Sequence, residues 1–250
     1  MGRDIYPAMS GGIRAMRQLE VVSNNLANVN TAGFKADRPS FTLHRPEGAP
    51  TTGAEGNLAG AYAALDGQHT DWSQGTLRDT GARTDLALIG ESGFFRLEAG
   101  EGEAVDSFLT RDGAFVVDGE GYLSARSGHR VLDDSGSAIQ VGSASFDVNA
   151  QGVVSVDGAA RGTVGVWDVA DRADLAKVGW NRFSVQPGTE VTAANAEVVQ
   201  GSLESSNVEP VRALTELIGL SRYYQAFQRN LQTSSELDKA LADRVGKVDQ

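Results

Sequence analysis

Residues 5–26 read IYPAMSGGIRAMRQLEVVSNNL, and apolar or small side chains recur in this stretch alternately four and three positions apart. The positions of this stripe are Ile5, Met9, Gly12, Met16, Leu19, Ser23 and Leu26. Such spacing is typical of the seam along which one helix packs on another. We therefore predict a first helix from about residue 5 to residue 29, with Pro7 tolerated in its first turn.

A second stripe of the same kind lies near the other end of the chain. It consists of Leu217, Leu220, Tyr224, Phe227 and Leu231, and Leu237 and Leu241 extend it. We predict a long helix from about Glu209 to about Val245, with Asn207 as its N-cap and Pro210 in its first turn. Both ends of the chain are therefore expected to bury apolar surface against other helices, which makes an assembly protein the first hypothesis.

The middle of the chain has the short apolar runs that are typical of β-strands. We predict strands within residues 85–90, 94–97, 108–110 and 163–169. Residues 115–123 and 146–154 share a further pattern, a strand, a four-residue turn opened by Asp or Asn and closed by Gly, and a second strand. The predicted fold class is α+β, with the N- and C-terminal helices paired as a coiled-coil-like helical domain that encloses an antiparallel β-rich middle domain.

The predicted domain organisation follows the same pattern from one end of the chain to the other. Residues 35–72 lack sustained periodicity, so we interpret them as an extended linker or arm. The parts are the N-terminal helix of the inner helical domain (1–34), the linker or arm (35–72), the β-rich outer domain (73–188), a return segment (189–206) and the C-terminal helix of the inner domain (207–250).

Composition excludes several classes of function. The net charge is −11, and it resides in the middle of the chain, because three basic and two acidic residues in 1–30 and six of each in 207–250 nearly cancel. Without a basic face, we expect no nucleic-acid partner. No run of 18 apolar residues is present, so we expect no direct insertion into a membrane. The first residues do not resemble a cleavable secretory signal, which leaves a cytosolic location or another export route open.

The side chains that perform chemistry in other proteins do not form a site in this sequence. Cysteine is absent, which excludes disulfides and thiolate metal sites. His44, His69 and His129 are scattered singly, without a second ligand at metal-binding spacing. Ser92 is followed by a strand-like segment where a nucleophile elbow requires a helix. We therefore expect no catalytic residues, no metal and no cofactor, and a protein that is not an enzyme.

The predicted first helix ends in a run of asparagines, at 24, 25, 28 and 30, and two interpretations of this run stay open. Asparagine is unfavourable in a helix interior, so the first interpretation is a frayed helix end that is closed by Gly33. The second is that the asparagine amides form hydrogen bonds to neighbouring chains, with Phe34 as an apolar anchor. The full set of candidate subunit-interface residues is Ile5, Met9, Gly12, Met16, Leu19, Ser23, Asn24, Asn25, Leu26, Asn28, Phe34, Leu217, Leu220, Tyr224, Phe227, Leu231, Leu237 and Leu241.

Three groups of motifs, in order along the chain, resemble those of the flagellar basal-body rod and hook family. The first group lies in residues 5–35 and includes Val22-Ser23-Asn24-Asn25-Leu26-Ala27-Asn28 and Thr31-x-Gly33-Phe34-Lys35. The second includes Ser73-Gln74-Gly75-Thr76-Leu77, Gly93-Phe94-Phe95 and Thr110-Arg111-Asp112-Gly113. The third includes Gly201-Ser202-Leu203-Glu204 and Ser206-Asn207-Val208. The resemblance therefore extends over most of the chain.

This resemblance implies a structural subunit of the bacterial flagellar basal-body rod, which polymerises through its terminal helices into the shaft that carries torque from motor to hook. The implied partners are copies of the chain, other rod proteins and the flagellar type III export apparatus. The implied location is the periplasm-spanning rod, reached without cleavage of a signal peptide. Within the family the chain looks most like the proximal rod proteins.

Three alternatives remain open at this point. A distal rod or hook-type axial protein of the same family is the runner-up. From other classes, the chain could be a secreted β-domain enzyme with helical oligomerisation arms, or a binding module of that kind. The enzyme hypothesis requires a deep pocket with carboxylates of shifted pKa, and the binding module predicts a dispensable C-terminal helix.

Overall fold

The computed structural model describes residues 5–44, 62–100, 102–103, 105–142 and 145–245. Within these ranges, the side chains of residues 5–9, 43–44, 62–66, 234 and 237–245 are not described. The chain divides into two compact units. Unit 1 comprises, among described residues, 5–27, 37–44, 62–70 and 209–245, and unit 2 comprises 28–36 and the described part of 71–208.

The described elements are two α-helices, seventeen strands and a short 3-10 helix at Arg172–Asp174. Their bounds, in chain order, are α1 Ile5–Ala27, β1 Asp37–His44, β2 Tyr62–Thr70, β3 Leu77–Asp79, β4 Leu86–Ile89, β5 Phe94–Glu98, β6 Ser107–Thr110, β7 Phe115–Val117, β8 Leu123–Ala125, β9 Asp147–Val148, β10 Val153–Val156, β11 Ala159–Thr163, β12 Val166–Val169, β13 Leu175–Lys177, β14 Arg182–Val185, β15 Val191–Ala193, β16 Glu197–Gln200, β17 Ser202–Glu204 and α2 Pro210–Val245. Neither described helix is both long enough and apolar enough to span a membrane.

Unit 1 consists of α1, the antiparallel pair β1–β2 and α2. Helix α1 contacts β1 and β2 as well as α2. One contact with the strand pair is a cation–π contact, in which the Arg14 guanidinium carbon lies 4.9 Å from the centre of the Phe41 ring. The pairing register shifts between Ser40, opposite Gly67, and Phe41, opposite Leu65, so the extra residue of this irregularity belongs to β2.

The predicted fold class is wrong in its helical half. A coiled-coil-like pair requires a narrow seam, yet the predicted seam residues Met16 and Ser23 are exposed, whereas Ala15 and Val22 are buried. The physical reason is that α1 packs against a strand pair as well as a helix, which rotates and widens its buried face relative to a two-helix seam. The lengths differ too, since 36 residues of α2 extend about 54 Å against about 35 Å for the 23 residues of α1.

Unit 2 is the β-rich middle that the sequence predicts. Its largest sheet has six antiparallel strands in the order β13-β14-β6-β5-β12-β15. The four predicted segments 85–90, 94–97, 108–110 and 163–169 are confirmed as β4, β5, β6 and β12. Two apolar clusters form the core, a large one that includes Leu86, Phe95, Phe115, Leu123, Phe146, Val154 and Val164, and a smaller one of Phe94, Leu109, Val169 and Phe183.

The predicted strand–turn–strand repeat is confirmed, and the structure contains a third copy of its turn. Asp118 Oδ1 accepts hydrogen bonds from the backbone N–H groups two and four residues later, at 2.9 Å each. Asn149 Oδ1 does the same at 3.0 and 2.9 Å, and Asp133 Oδ1 at 2.9 and 2.8 Å. In each turn the fourth residue is a glycine with φ between 80° and 85°, so all three follow one local rule.

Two segments have more structure than the sequence analysis assigns to them. Residues 37–44 and 62–70, within the predicted linker or arm, are the paired strands of unit 1, with register from Asp37 opposite Thr70 to His44 opposite Tyr62. The predicted return segment 189–206 contains β15, β16 and β17. Residues 62–70 and 189–206 lack a sustained alternating apolar pattern, whereas Pro39, Phe41 and Leu43 do alternate with polar residues, a short signal that the prediction did not use.

Candidate subunit interface

Helices α1 and α2 meet where a glycine of one lies under an aromatic ring of the other. A Cβ atom added to Gly12 would lie 2.2 Å from Cε1 of Phe227, far inside van der Waals contact. Only glycine therefore allows the ring to lie this close to the α1 backbone. Along α2, the buried or half-buried residues Ala213, Leu217, Leu220, Tyr224 and Phe227 follow a 4-3-4-3 spacing, so they share one face.

Both helices carry a second set of apolar side chains that point to solvent. On α2, Val211, Leu214 and Ile218 are spaced three and four apart and are 76%, 50% and 45% exposed. At 100° per residue, this exposed stripe lies about 130° around the helix from the buried one. On α1, Ile13 and Met16 are exposed in the same way. Where exposed apolar residues form a contiguous patch on a helix, that patch is a candidate surface for binding another protein.

The predicted interface residues fall into five groups in the structure. Among the described side chains, Gly12 and Asn25 are buried in unit 1, while Leu19, Leu26, Leu217, Leu220, Tyr224 and Phe227 are half-buried there; Met16, Ser23, Asn24 and Leu231 are exposed. Asn28 is half-buried and Phe34 is buried in unit 2. Ile5, Met9, Leu237 and Leu241 belong to α1 or α2, and their side chains lie outside the described set.

Two of the predicted interface residues make contacts within their own chain. Asn25 Nδ2 donates to the Asp37 carbonyl at 2.8 Å, and its Oδ1 accepts from the Asp37 N–H at 3.0 Å, so this amide pairs with the backbone of β1. The ring of Phe34 is covered by Lys177, whose Nζ lies 4.6 Å from the ring centre. Both residues therefore have a role in the fold of a single chain, which their sequence context did not indicate.

A buried charged cluster joins segments of unit 2 that are distant in sequence. Lys35 Nζ lies 2.6 Å from Glu204 Oε1, and Arg111 Nη1 lies 3.2 Å from Glu204 Oε2. All three side chains are only 1% exposed. The Gly75 N–H also donates to Glu204 Oε1 at 2.9 Å. One carboxylate therefore faces two cations and a backbone donor, away from water.

Burial disfavours the charged forms of the two cations in this cluster and therefore lowers their pKa values. Burial lowers the pKa of the Lys35 ammonium, and attraction to the Glu204 carboxylate offsets only part of that effect. The pKa of Arg111 is lowered for the same reason. Within the described residues, Nε and Nη2 of Arg111 are buried without a hydrogen-bond partner. Glu204 is thus the one carboxylate in direct contact with both buried cations, and removing it should be more harmful than removing either cation.

Asn207 joins the same segments through its amide and is not the N-cap of α2, as the sequence analysis predicts. Its Oδ1 accepts from the Ala36 N–H at 2.7 Å, and its Nδ2 donates to the Asp71 carbonyl at 2.8 Å. Helix α2 begins three residues later, at Pro210. The prediction fails because an Asn just before a helix looks the same in the sequence whether its side chain caps the helix or hydrogen-bonds to two other segments of the chain.

Close backbone packing surrounds the charged cluster. A Cβ at Gly75 would lie 1.9 Å from the Ser205 carbonyl oxygen, and one at Gly33, where φ is +65°, would lie 2.3 Å from the Arg111 carbonyl carbon. Sequence reasoning missed the roles of Lys35, Arg111 and Glu204, although all of them lie in motifs that carry the family resemblance. Those motifs are therefore explained, in part, by one packed junction inside unit 2.

The chemistry of this arrangement is that of a packed scaffold. Among the residues that the structure describes, no group of three or more His, Asp or Glu side chains could hold a metal ion. The charged cluster is enclosed, so its groups stabilise the junction of chain segments and do not face a substrate. Among the described residues, the exposed apolar stripes of α1 and α2 are the candidate surfaces for contact with another subunit.

Three family models match the chain in separate regions. Residues 5–35 match the flagella basal body rod protein model, and residues 88–156 match the D1 domain of the flagellar hook protein FlgE/F/G model. Residues 199–244 match the C-terminal model of the flagellar basal body rod FlgEFG proteins. The matches cover α1, part of the β-rich unit and α2, in the order that the motifs predict.

Individual relatives match over the whole chain. The flagellar basal-body rod protein FlgF of Caulobacter vibrioides is 32% identical, over 99% of this chain and 100% of its own length. The rod protein FlgG of Bacillus subtilis is also 32% identical, over 97% and 99%. The flagellar hook protein FlgE of Treponema pallidum is 38% identical, but over 49% of this chain and 27% of its own. With full-length matches to two rod proteins, the chain belongs to the family of flagellar basal-body rod proteins.

Proposed function

We propose that this member of the rod family is a proximal-rod subunit that polymerises with copies of itself and with other rod proteins through α1 and α2. The observation that carries the proposal is the pair of exposed stripes, Val211, Leu214 and Ile218 on α2 and Ile13 and Met16 on α1. A lone helix obtains most of its stability from packing. Burial of these stripes by neighbouring subunits would stiffen the terminal helices into a shaft that transmits torque.

Further parts of the proposal rest on family membership. We infer that the chain is exported by the flagellar type III apparatus without cleavage of a signal peptide and resides in the basal body. We infer a structural role without catalysis. The proximal position is supported by the full-length likeness to a protein named FlgF, while the equal identity to a protein named FlgG keeps a distal position as the alternative.

The test places an acidic side chain on the exposed stripe of α2. Leu214→Asp and Ile218→Asp, expressed in place of the natural chain, are expected to reduce its amount in isolated basal bodies at least tenfold and to abolish motility. Gly219→Asp is the matched control, because Gly219 lies on the same turn but on a different face, and no described atom lies within 4 Å of its Cβ position.

The purified variants should retain the helix content of the natural chain, measured by far-ultraviolet circular dichroism. This measurement separates loss of assembly from loss of folding. Normal incorporation of Leu214→Asp and Ile218→Asp into basal bodies would contradict the proposed interface. Intact mass of the chain recovered from basal bodies tests the absence of cleavage.

A further inference from the structure

The chain crosses between the two compact units four times, after residues 27, 36, 70 and 208. Three residues of unit 2 lie at the last three crossings: Ala36, Asp71 and, one position before the end of the unit, Asn207. These residues are far apart in sequence, yet they meet in the structure. The way in which unit 2 holds them therefore decides how its chain connections behave as a group.

A closed ring of three hydrogen bonds joins these residues. The Ala36 N–H donates to Asn207 Oδ1 at 2.7 Å, and Asn207 Nδ2 donates to the Asp71 carbonyl at 2.8 Å. The Asp71 N–H completes the ring by donating to the Ala36 carbonyl at 2.8 Å. A carboxamide supplies both an acceptor and a donor, so the single side chain of Asn207 bonds to the backbone at two other crossings.

Further hydrogen bonds attach the ring to the residues around it. The Gly33 N–H donates to the Glu204 carbonyl at 2.7 Å, and the Ser205 N–H donates to the Thr76 carbonyl at 2.9 Å. Asn207 Nδ2 also lies 3.1 Å from the carbonyl oxygen of Ser73. We call residues 33–36, 71–76 and 205–207 the connection block. These three segments belong to no described helix or strand, so bonds between the segments take the place of a sheet ladder.

Asn207 differs from the charged side chains that join the same segments. Lys35 also spans two of them, through Ser73 and Glu204, but it is a buried cation, so its replacement changes the balance of charge. Asn207 is neutral and only half-buried. Removal of its amide therefore leaves no buried charge without a partner, and the buried charged cluster keeps its contacts.

We propose that Asn207 holds the unit-2 ends of three chain connections together as one cooperative block, which can open while the β-rich core of unit 2 stays folded. Local units of a protein open at a lower free energy than the whole domain does. The inference rests on the proposed function for its purpose. In a subunit that transmits torque, ends that are held together share the force among three connections, whereas separate ends do not.

Hydrogen exchange of the purified full-length chain, followed by mass spectrometry of short peptides, tests the proposal with Asn207→Ala. The N–H groups of Gly33, Asp71 and Ser205 report on the three segments, because none of them loses its own acceptor in this variant. Their exchange should become at least tenfold faster, while exchange in β5 and β6 should change less than twofold. Asn195→Ala, at an exposed asparagine of unit 2, is the control and should leave these rates unchanged.

Two results of this experiment would overturn the inference. Unchanged exchange at Gly33 and Asp71 would mean that the contacts of Asn207 act only locally. Equal acceleration in β5 and β6 would mean that Asn207 supports the whole unit and not a separate block.

A measurement in cells tests the mechanical role. Asn207→Ala should be present in basal bodies in the normal amount, because Asn207 lies outside the proposed helix interface, and the cells should swim at least twofold more slowly in a viscous medium than Asn195→Ala cells. Equal swimming speed, or loss of the variant from basal bodies, would count against the inference. The proposed function fails on a different observation, which is the absence of the natural chain from basal bodies.

Discussion

Replacement of Glu204 by glutamine is the sharpest test of the junction in unit 2, because the side chain keeps its shape and loses only its charge. Glu204 lies 2.6 Å from Lys35 Nζ and 3.2 Å from Arg111 Nη1, and the three side chains are almost fully buried. The substitution leaves two buried cations without a counter-charge. Removing one partner of a buried ion pair costs about 3–5 kcal/mol, which is a large share of the total stability of a domain.

Lys35→Met should cost less than Glu204→Gln. It removes one of the two cations, while Glu204 keeps its contacts with Arg111 and with the Gly75 N–H. The remaining loss is that of the hydrogen bonds from Nζ, one of which goes to the Ser73 carbonyl at 2.7 Å, and we expect about 1–3 kcal/mol. The order of the two costs is the prediction that depends on the geometry.

Urea unfolding followed by tryptophan fluorescence measures these costs, because Trp72, Trp167 and Trp180 all lie in unit 2. With a slope of about 2 kcal/mol per molar, Glu204→Gln should lower the urea midpoint by about 1.5–2.5 M. Glu91→Gln, at an exposed carboxylate, is the control and should change stability by less than about 0.5 kcal/mol. A Glu204→Gln variant as stable as this control, or less harmed than Lys35→Met, would refute the account of the junction.

Three further outcomes are expected. Burial lowers the pKa of Lys35, so just below pH 10.5 the unfolded chain binds more protons than the folded chain does. The free energy of unfolding of the natural chain, relative to that of Lys35→Met, should therefore increase as pH rises from 7 toward 10. Urea unfolding at successive pH values measures this difference. Gly12→Leu should destabilise unit 1 by about 1–3 kcal/mol, because the new side chain displaces the Phe227 ring. Gly219→Leu, at an open helix position, should raise the stability of the helix by up to about 1 kcal/mol. Thermal unfolding followed by circular dichroism measures both effects. Asn149→Ala should cost about 0.5–1.5 kcal/mol in urea unfolding, because two N–H groups of this exposed turn exchange the Asn149 acceptor for water.

The elements with strong local signals were predictable from the sequence. Helix α2 was placed within a residue of its described bounds, and β4, β5, β6 and β12 follow from short apolar runs. The turn that opens with Asp or Asn and closes with Gly was recognised at 118–121 and 149–152. The third copy, at 133–136, was missed because its flanking residues pair as isolated bridges and not as apolar strands.

The prediction for α1 failed because the spacing of side chains along a helix does not identify the partner of that helix. The stripe through Met16 and Ser23 assumed a single helical neighbour, but α1 also packs on β1 and β2, so its buried face shifts to Ala15 and Val22. Of the two paired strands, 62–70 has no alternating apolar pattern, and the alternation in 37–44 is limited to Pro39, Phe41 and Leu43.

The buried cluster was hidden from the sequence for a different reason. Lys, Arg and Glu are usually exposed, and their burial depends on partners that lie far apart along the chain. Lys35 and Glu204 are 169 residues apart, and no local pattern connects them. The exposed stripe of α2 was not predicted either. Val211, Leu214 and Ile218 lie on a second face of this helix, outside the seam that the apolar spacing indicates.

The central claim is that apolar stripes exposed on the single chain become buried in the rod, and thiol accessibility tests it most directly. Because the natural chain has no cysteine, a Leu214→Cys variant carries a single thiol on the α2 stripe. Maleimide should label this thiol rapidly in the purified chain and at least tenfold more slowly in isolated basal bodies. Glu91→Cys, on an exposed loop of unit 2, is the control and reports the reactivity of an exposed thiol in the purified chain. Equal labelling of Leu214→Cys in the purified chain and in basal bodies would contradict the account.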